Sequence, residues 1–191
     1  LPDQKVKIAP FGIDELFWCP SQNNQNEDYI LSVGSDEARD YQTLVNANSD
    51  QKIKIITRLP IGHLIKNKPI ELASHFTQLE LRKLYRRAKF VVIPLKDVDQ
   101  PSGQSATLQA MACGKAVILS RTKGLWEPET MLHRKNCYLV DPCSPEKLKE
   151  AIGYLNSNPE LACRIGKNAR RLVEERYKSR DFAQRIEVHL E

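Results

Sequence analysis

Phe90-Val91-Val92-Ile93-Pro94-Leu95 is followed by a polar loop and then by Ser102-Gly103-Gln104-Ser105-Ala106-Thr107-Leu108-Gln109-Ala110-Met111-Ala112-Cys113-Gly114-Lys115-Ala116-Val117-Ile118-Leu119. The first six residues are apolar throughout, the composition of a strand covered on both faces. Residues 104–113 have the pattern of a helix, Gly114 ends it, and 116–119 return as a second apolar strand. Strand, crossover helix and strand make a right-handed βαβ unit, and such a unit implies a parallel sheet.

The same alternation extends outward in both directions. Toward the N-terminus, residues 29–33 read as a strand ending in Gly34, 40–48 as a helix, 52–57 as a strand and 69–73 as a weaker one. Residues 78–88 form an amphipathic helix with Leu79, Leu81, Leu84, Tyr85 and Ala88 on its apolar side. Toward the C-terminus, 137–140 is a last short strand before helices at about 145–156, 160–177 and 180–189. Ahead of all this lie a strand-like run at 5–10 and an Asn- and Gln-rich polar loop at 21–28. The expected fold is α/β, a Rossmann-like doubly wound parallel sheet flanked by helices, with extra C-terminal helices. Residues 1–28 form a lead-in and 29–191 a single domain.

Composition narrows the function. With 191 residues, 41% hydrophobic and 28% charged, the chain can fill a core and is not disordered as a whole. Its longest apolar runs fall far short of the ~20 residues of a membrane helix. No basic-then-apolar leader opens the sequence, so a cytoplasmic location is expected. The 29 Lys and Arg exceed the 24 Asp and Glu by 5, a mild excess that suits phosphate-bearing ligands or an anionic surface. A duplex-binding protein would carry a denser basic stripe, and no nucleic-acid partner is expected. Cysteines at 19, 113, 137, 143 and 163 lack C-x-x-C spacing, which argues against a disulfide framework or zinc and for a reducing compartment. Cys113 and Cys163 fall in apolar helical patterns and read as small core residues. No Asp, Glu and His set at ligand spacing suggests a metal.

In doubly wound sheets, ligands bind beyond the carboxyl ends of the strands. That rule points to 34–39, 94–105 and 120–126. Ser102-Gly103-Gln104-Ser105 opens a helix there, and the unpaired N–H groups of a first turn can hold a phosphate. Gly103 would allow close backbone approach, while Ser102 or Ser105 either caps the helix or bonds the ligand. Arg121 and Lys123 follow the strand at 116–119 and are candidate phosphate contacts or plain surface charges. The basic helix from Arg164 to Arg180 reads as a solvated face, with contact to another domain or an anionic lipid surface as the sharper alternative.

The run Leu108-Gln109-Ala110-Met111-Ala112-Cys113-Gly114-Lys115-Ala116-Val117-Ile118 resembles the L-E-A-M-A-x-G-x-P-V-I signature of glycosyltransferase family 4, retaining enzymes of the two-Rossmann-domain (GT-B) type. Ile8-Ala9-Pro10-Phe11-Gly12-Ile13-Asp14 with Phe17-Trp18 and Pro20 is similar to the family's lead into its C-terminal domain. Ile30 to Gly34, with Arg39 and Leu44-Val45-Asn46-Ala47, Leu81 to Pro94, and Cys137 to Asp141 match further segments in the family's order. The resemblance runs from about Lys5 to Leu190. It implies one half of a GT-B fold, the donor nucleotide-sugar domain of a hexosyltransferase in polysaccharide biosynthesis. The N-terminal Rossmann domain, with the site for a glycan or lipid-linked acceptor, would be missing and the chain inactive alone. The donor would be a substrate, with no cofactor and no metal.

Residue by residue, the resemblance places Arg39 on the donor diphosphate as the principal catalytic cation, where the family usually has Lys. The guanidinium adds a fork for two phosphate oxygens. The family's other basic position, directly after Gly34, is Ser35, so half of that clamp has lost its charge. In the family's E-x7-E pattern the first Glu position falls on Pro101 and the second on Gln109, which retains hydrogen-bonding capacity for ribose hydroxyls without charge. Ser102, Gly103, Gln104 and Ser105 would then take over sugar and phosphate contacts. The degraded acidic pair also leaves room for a non-catalytic binding or assembly domain derived from a glycosyltransferase. Localisation would be cytoplasmic, with peripheral contact at the inner membrane face.

Overall fold

The computed structural model describes residues 9–21, 26–47 and 50–190. Six short strands form one wholly parallel sheet: β1 (Ile30–Val33), β2 (Ile53–Ile56), β3 (Ile70–Ala73), β4 (Val91–Ile93), β5 (Val117–Ser120) and β6 (Tyr138–Val140). Their order is β3-β2-β1-β4-β5-β6, that of a doubly wound Rossmann sheet with its crossover reversal between β1 and β4. Register is fixed by pairs such as Ile30 with Ile53, Leu31 with Val91 and Ile118 with Tyr138.

The helices are α1 (Tyr41–Ala47), α2 (Gln78–Arg87), α3 (Gln104–Ala112), α4 (Pro145–Ser157), α5 (Pro159–Arg176) and α6 (Ser179–Leu190). On one face of the sheet, Leu31, Val91, Ile93, Val117 and Leu119 pack with Tyr85 of α2, Leu108 and Met111 of α3, and Val173 of α5. On the other, Ile30, Ile53, Ile55, Val92 and Ile118 pack with Tyr41 and Leu44 of α1 and with Leu148 and Ile152 of α4. Alternate residues of each strand serve opposite cores, which is why the strands are apolar without a break.

Local chemistry sets the helix ends. Thr77 and Glu80 make a reciprocal capping box on α2, the Glu80 carboxylate accepting from the Thr77 amide at 2.8 Å. Those bonds hold the Glu80 carboxyl below its ordinary value, and Arg86 and Arg87 lie in the last turn, where the helix dipole favours cations. Ser144 caps α4 and Pro145 opens it.

Sequence and structure differ at three places. Ala9 and Pro10 form no strand, and the rest of the strand-like run, 5–8, lies outside the described residues. So do 22–25 of the polar loop and Asn48 at the end of the first expected helix. Cys113 is buried as expected, but Cys163 is exposed, because α5 turns Ala162 and Ile165 to the core instead. Finally, α5 is not simply a solvated basic face. Arg170 Nη1 donates to the carbonyls of Glu15, Trp18 and Ala112, each at 2.9 Å. It ties the lead-in segment to the end of α3, while Ile13 exchanges backbone bonds with Tyr177 and Ser179.

Candidate functional site

The reversal between β1 and β4 forces the loops beyond these strands apart and opens a crevice at their carboxyl ends. The loop after β1 folds back over that gap. Arg39 bridges Leu95, the Asp40 amide donates to Pro94 O at 3.0 Å, and the Lys96 amide donates to Ala38 O at 2.8 Å. Tyr41 Oη donates to Gly34 O at 2.7 Å, and Asp40 caps α1 by accepting from the Thr43 amide. These contacts hold the Arg39 backbone in the crevice, so its side chain has nowhere to go but in.

The Arg39 side chain is only 4% exposed. Its guanidinium lies between two glycines. A Cβ built on Gly34, whose φ is +149°, would stand 2.0 Å from Nε, and one on Gly103, whose φ is +74°, 3.2 Å from Nη1. Both glycines are therefore required by space as well as by backbone conformation. Nε lies 2.8 Å from Asp36 Oδ2, yet it makes no hydrogen bond, so the contact is a charge pair without an aligned N–H. Nη1 is buried and has no hydrogen-bond partner among the described residues. Leaving a charged donor dry costs more than leaving a neutral one, roughly 1–3 kcal/mol or above.

Gly103 begins α3 in the left-handed conformation, with no side-chain cap. Here the structure corrects the capping alternative for Ser102 and Ser105. Ser102 Oγ instead donates to Asp36 Oδ1 at 2.6 Å, and Ser105 is exposed. The first-turn amides of α3 thus lack intrahelical acceptors and have no cap. Beside them lies the unpartnered Nη1 of Arg39. A buried cation and an uncapped helix start form a surface of donors without acceptors, whose chemical complement is an oxyanion with several oxygens.

The remaining expected residues are distributed differently. Ser35 Oγ accepts from the Arg58 amide at 2.8 Å and so joins the loops after β1 and β2. Gln109 is half-buried, and its Oε1 accepts from Tyr85 Oη at 3.2 Å, an oxygen committed to the core rather than to a ligand. Gln104 is half-buried at the start of α3 and Pro101 is exposed. Lys123 does not stand free. Its amide donates to Asp97 at 3.1 Å and its Nζ pairs with the same carboxylate at 3.7 Å. Arg121 is exposed and lines a small cavity with His133, Tyr138 and Asp141 on the β6 side. Trp126 is buried in the core beyond β5, and its Nε1 has no hydrogen-bond partner among the described residues. Asp36, which links Arg39 to Ser102, went unnoticed in the sequence. Its one signal is the spacing of three to Arg39, which a turn closes by the Arg39 amide donating to Asp36 O at 3.1 Å.

Among the described residues no group of three or more His, Cys, Asp and Glu side chains gathers. No helix there is long and apolar enough to cross a membrane.

Comparison with known proteins converges on one family. Residues 61–172 match the family described as Glycosyl transferases group 1. The chain is 33% identical over 101 residues to the uncharacterized glycosyltransferase MJ1178 of Methanocaldococcus jannaschii, a match covering 53% of this chain and 27% of that relative. Among solved structures, it is similar to the C-terminal domain of a glycosyl transferase group 1 family protein, LpcC, from Francisella tularensis. That match has a TM-score of 0.72 at 22% identity and covers 88% of this chain and all of the other. Anabaena HepE in complex with UDP superposes with a TM-score of 0.82 at 17% identity, over 96% of this chain and 57% of that one. At such identities the structural likeness speaks for the fold.

Proposed function

The chain belongs to the glycosyl transferases group 1 family, and on that premise we propose that it is the donor-binding half of a retaining glycosyltransferase. It takes a nucleoside-diphosphate hexose in the crevice between β1 and β4. The partner half, a second Rossmann domain with the acceptor site for a glycan or a lipid-linked sugar, lies outside this chain. The match to MJ1178 spans only 27% of that protein and the likeness to HepE 57%, in keeping with this division. HepE is a neighbour of the same fold that holds UDP. The enzyme works in the cytoplasm, at the inner membrane face when its acceptor is lipid-linked, and needs no metal.

The observation that carries the reading is the buried, unpartnered Nη1 of Arg39 beside the uncapped start of α3. In the reaction the bond between the anomeric carbon and the β-phosphate oxygen breaks, and its electrons leave with the diphosphate. An acceptor hydroxyl attacks the same face and passes its proton to the departing phosphate oxygen. Charge therefore accumulates on phosphate oxygens, and preorganised donors lower the barrier most where it accumulates. Arg39 and the α3 amides supply such donors. Ser102 and Asp36 hold the guanidinium in place, and Gly103 lets the phosphate come close. Gln109 has its Nε2 left for a ribose hydroxyl.

Calorimetric titration with UDP, GDP and ADP tests the reading. One nucleotide should bind without magnesium, and Arg39→Ala should weaken it about 100-fold. The isolated chain should transfer no sugar from any donor. Pro101 and the commitment of Gln109 Oε1 to Tyr85 favour a second reading, a binding domain that has lost catalysis. Nucleotide affinity indifferent to Arg39 would point there.

A further inference from the structure

The opposite edge of the sheet carries a second site. A cavity of about 340 Å³ lies where β4 and β5 begin, between the end of α3 and the start of α5. Its size is at the small end of the ~300–1,000 Å³ range of small-molecule sites. Its polar lining comes from Lys89, Lys115, Asn26 and Asn156. Lys115 Nζ donates to Asn26 Oδ1 at 2.6 Å, and Lys89 Nζ to Asn156 Oδ1 at 3.0 Å.

An ammonium only donates, so each carboxamide must turn its oxygen to its lysine and keep its NH2 for another acceptor. Lys89 also pairs with the Asp28 carboxylate, which neutralises it. Lys115 has no carboxylate partner among the described residues. The cavity thus holds one uncompensated positive charge and two amide NH2 groups, and among the described residues no carboxylate lines it. The rest of its wall includes Phe90, Leu155, Pro159 and Ala162. Burial pulls the Lys115 ammonium down to about 8, opposed by the Cys113 and Cys163 thiols, as befits a cation without a counter-charge.

We propose that this cavity binds a small organic carboxylate, its head between Lys115 and the carboxamides of Asn26 and Asn156 and its body on the apolar wall. One unmatched charge calls for a monoanion, and the wall calls for carbon behind it. Phosphate carries more charge than the cavity can match and no apolar body. The cavity lies at the opposite end of α3 from the donor crevice, so the two ligands would occupy the two ends of one helix.

Titration of this chain with sodium benzoate and with sodium phosphate at fixed ionic strength tests the assignment. Benzoate should bind with a Kd below about 1 mM and phosphate more weakly. Asn26→Asp gives Lys115 an internal carboxylate and should weaken benzoate at least tenfold while the melting temperature holds or rises. Lys115→Met should do the same, and Arg39→Ala should leave benzoate binding unchanged. The proposal is overturned by no benzoate binding, by binding indifferent to both cavity variants, by tighter binding of phosphate, or by loss of benzoate binding in Arg39→Ala.

Discussion

The two edges of the sheet hold the same problem and answer it differently. At the carboxyl edge a guanidinium is sealed between Gly34 and Gly103 with a half-exposed Asp36 beside it. At the amino edge the Lys115 ammonium lines a cavity and, among the described residues, has only a carboxamide for company. Arginine in proteins does not shed its proton, so a buried arginine must find an anion or bear the cost. Lysine has a way out, and the Lys115 ammonium takes it in part by titrating near 8. The crevice where diphosphate chemistry is proposed thus carries the permanent charge, and the opposite edge carries the adjustable one.

Four changes would break or sharpen that contrast. The largest effect is expected from Gly166→Ala. A Cβ there would stand 2.1 Å from Gly114 O, a backbone atom that cannot step aside, so α5 must lift off the end of α3. A loss of about 3 kcal/mol is expected, read as a fall in melting temperature of about 10 °C. An unchanged melting temperature would mean that the amino edge is looser than its packing implies.

Next comes Arg39→Ala. Loss of about 100-fold in nucleotide affinity corresponds to about 2.7 kcal/mol, the scale of a charged contact to phosphate. Stability should change by less than about 1 kcal/mol, because the unpartnered donor leaves with the side chain. A large loss of stability with unaltered nucleotide binding would recast Arg39 as a structural residue.

Gly103→Ala is smaller. The substitution costs about 1 kcal/mol at a φ of +74°, and its methyl would press on Arg39 Nη1 and Ile93. Nucleotide affinity should fall about tenfold, and a calorimetric titration beside the wild type would detect it.

The least effect is the pH response of the amino edge. Lys115 has a folded-state pKa of about 8, below the 10.5 of the free side chain. Between those values the unfolded chain binds the extra proton, so stability rises with pH from about 8 to about 10. With allowance for the part of the side chain in water, the gain is about 1 kcal/mol. Lys115→Met should flatten that rise in denaturant titrations at the two pH values. Saturating benzoate should flatten it too, by returning the ammonium toward its ordinary range.

Much of the fold was legible because parallel sheets write themselves plainly. The apolar run at 90–95 contains β4 and the pattern at 104–113 contains α3, each within a residue or two of its ends. Residues at the carboxyl ends of strands were likewise readable as a candidate site. What the sequence withheld was the state of those residues. Arg39 precedes α1 like any surface arginine, and only the pairing of 38–40 with 94–96, more than fifty positions away, buries it. Ser102 and Ser105 looked like caps because serine caps helices well, yet Gly103 in the left-handed conformation took that place. Cys163 misled for a simpler reason, since one position of helix rotation separates it from the buried Ala162.

The threefold bonding of Arg170 has a consequence for the covalent chain. A protease cut between Pro20 and Tyr29 would sever the backbone without severing the fold. Trp18 would stay buried, Ile13 would stay bonded to Tyr177 and Ser179, and Arg170 would still hold the carbonyls of Glu15 and Trp18. The two pieces would copurify as a nicked protein and part only in denaturant, so the stretch from Ile13 to Trp18 is held as a subunit would be, in all but its peptide bond.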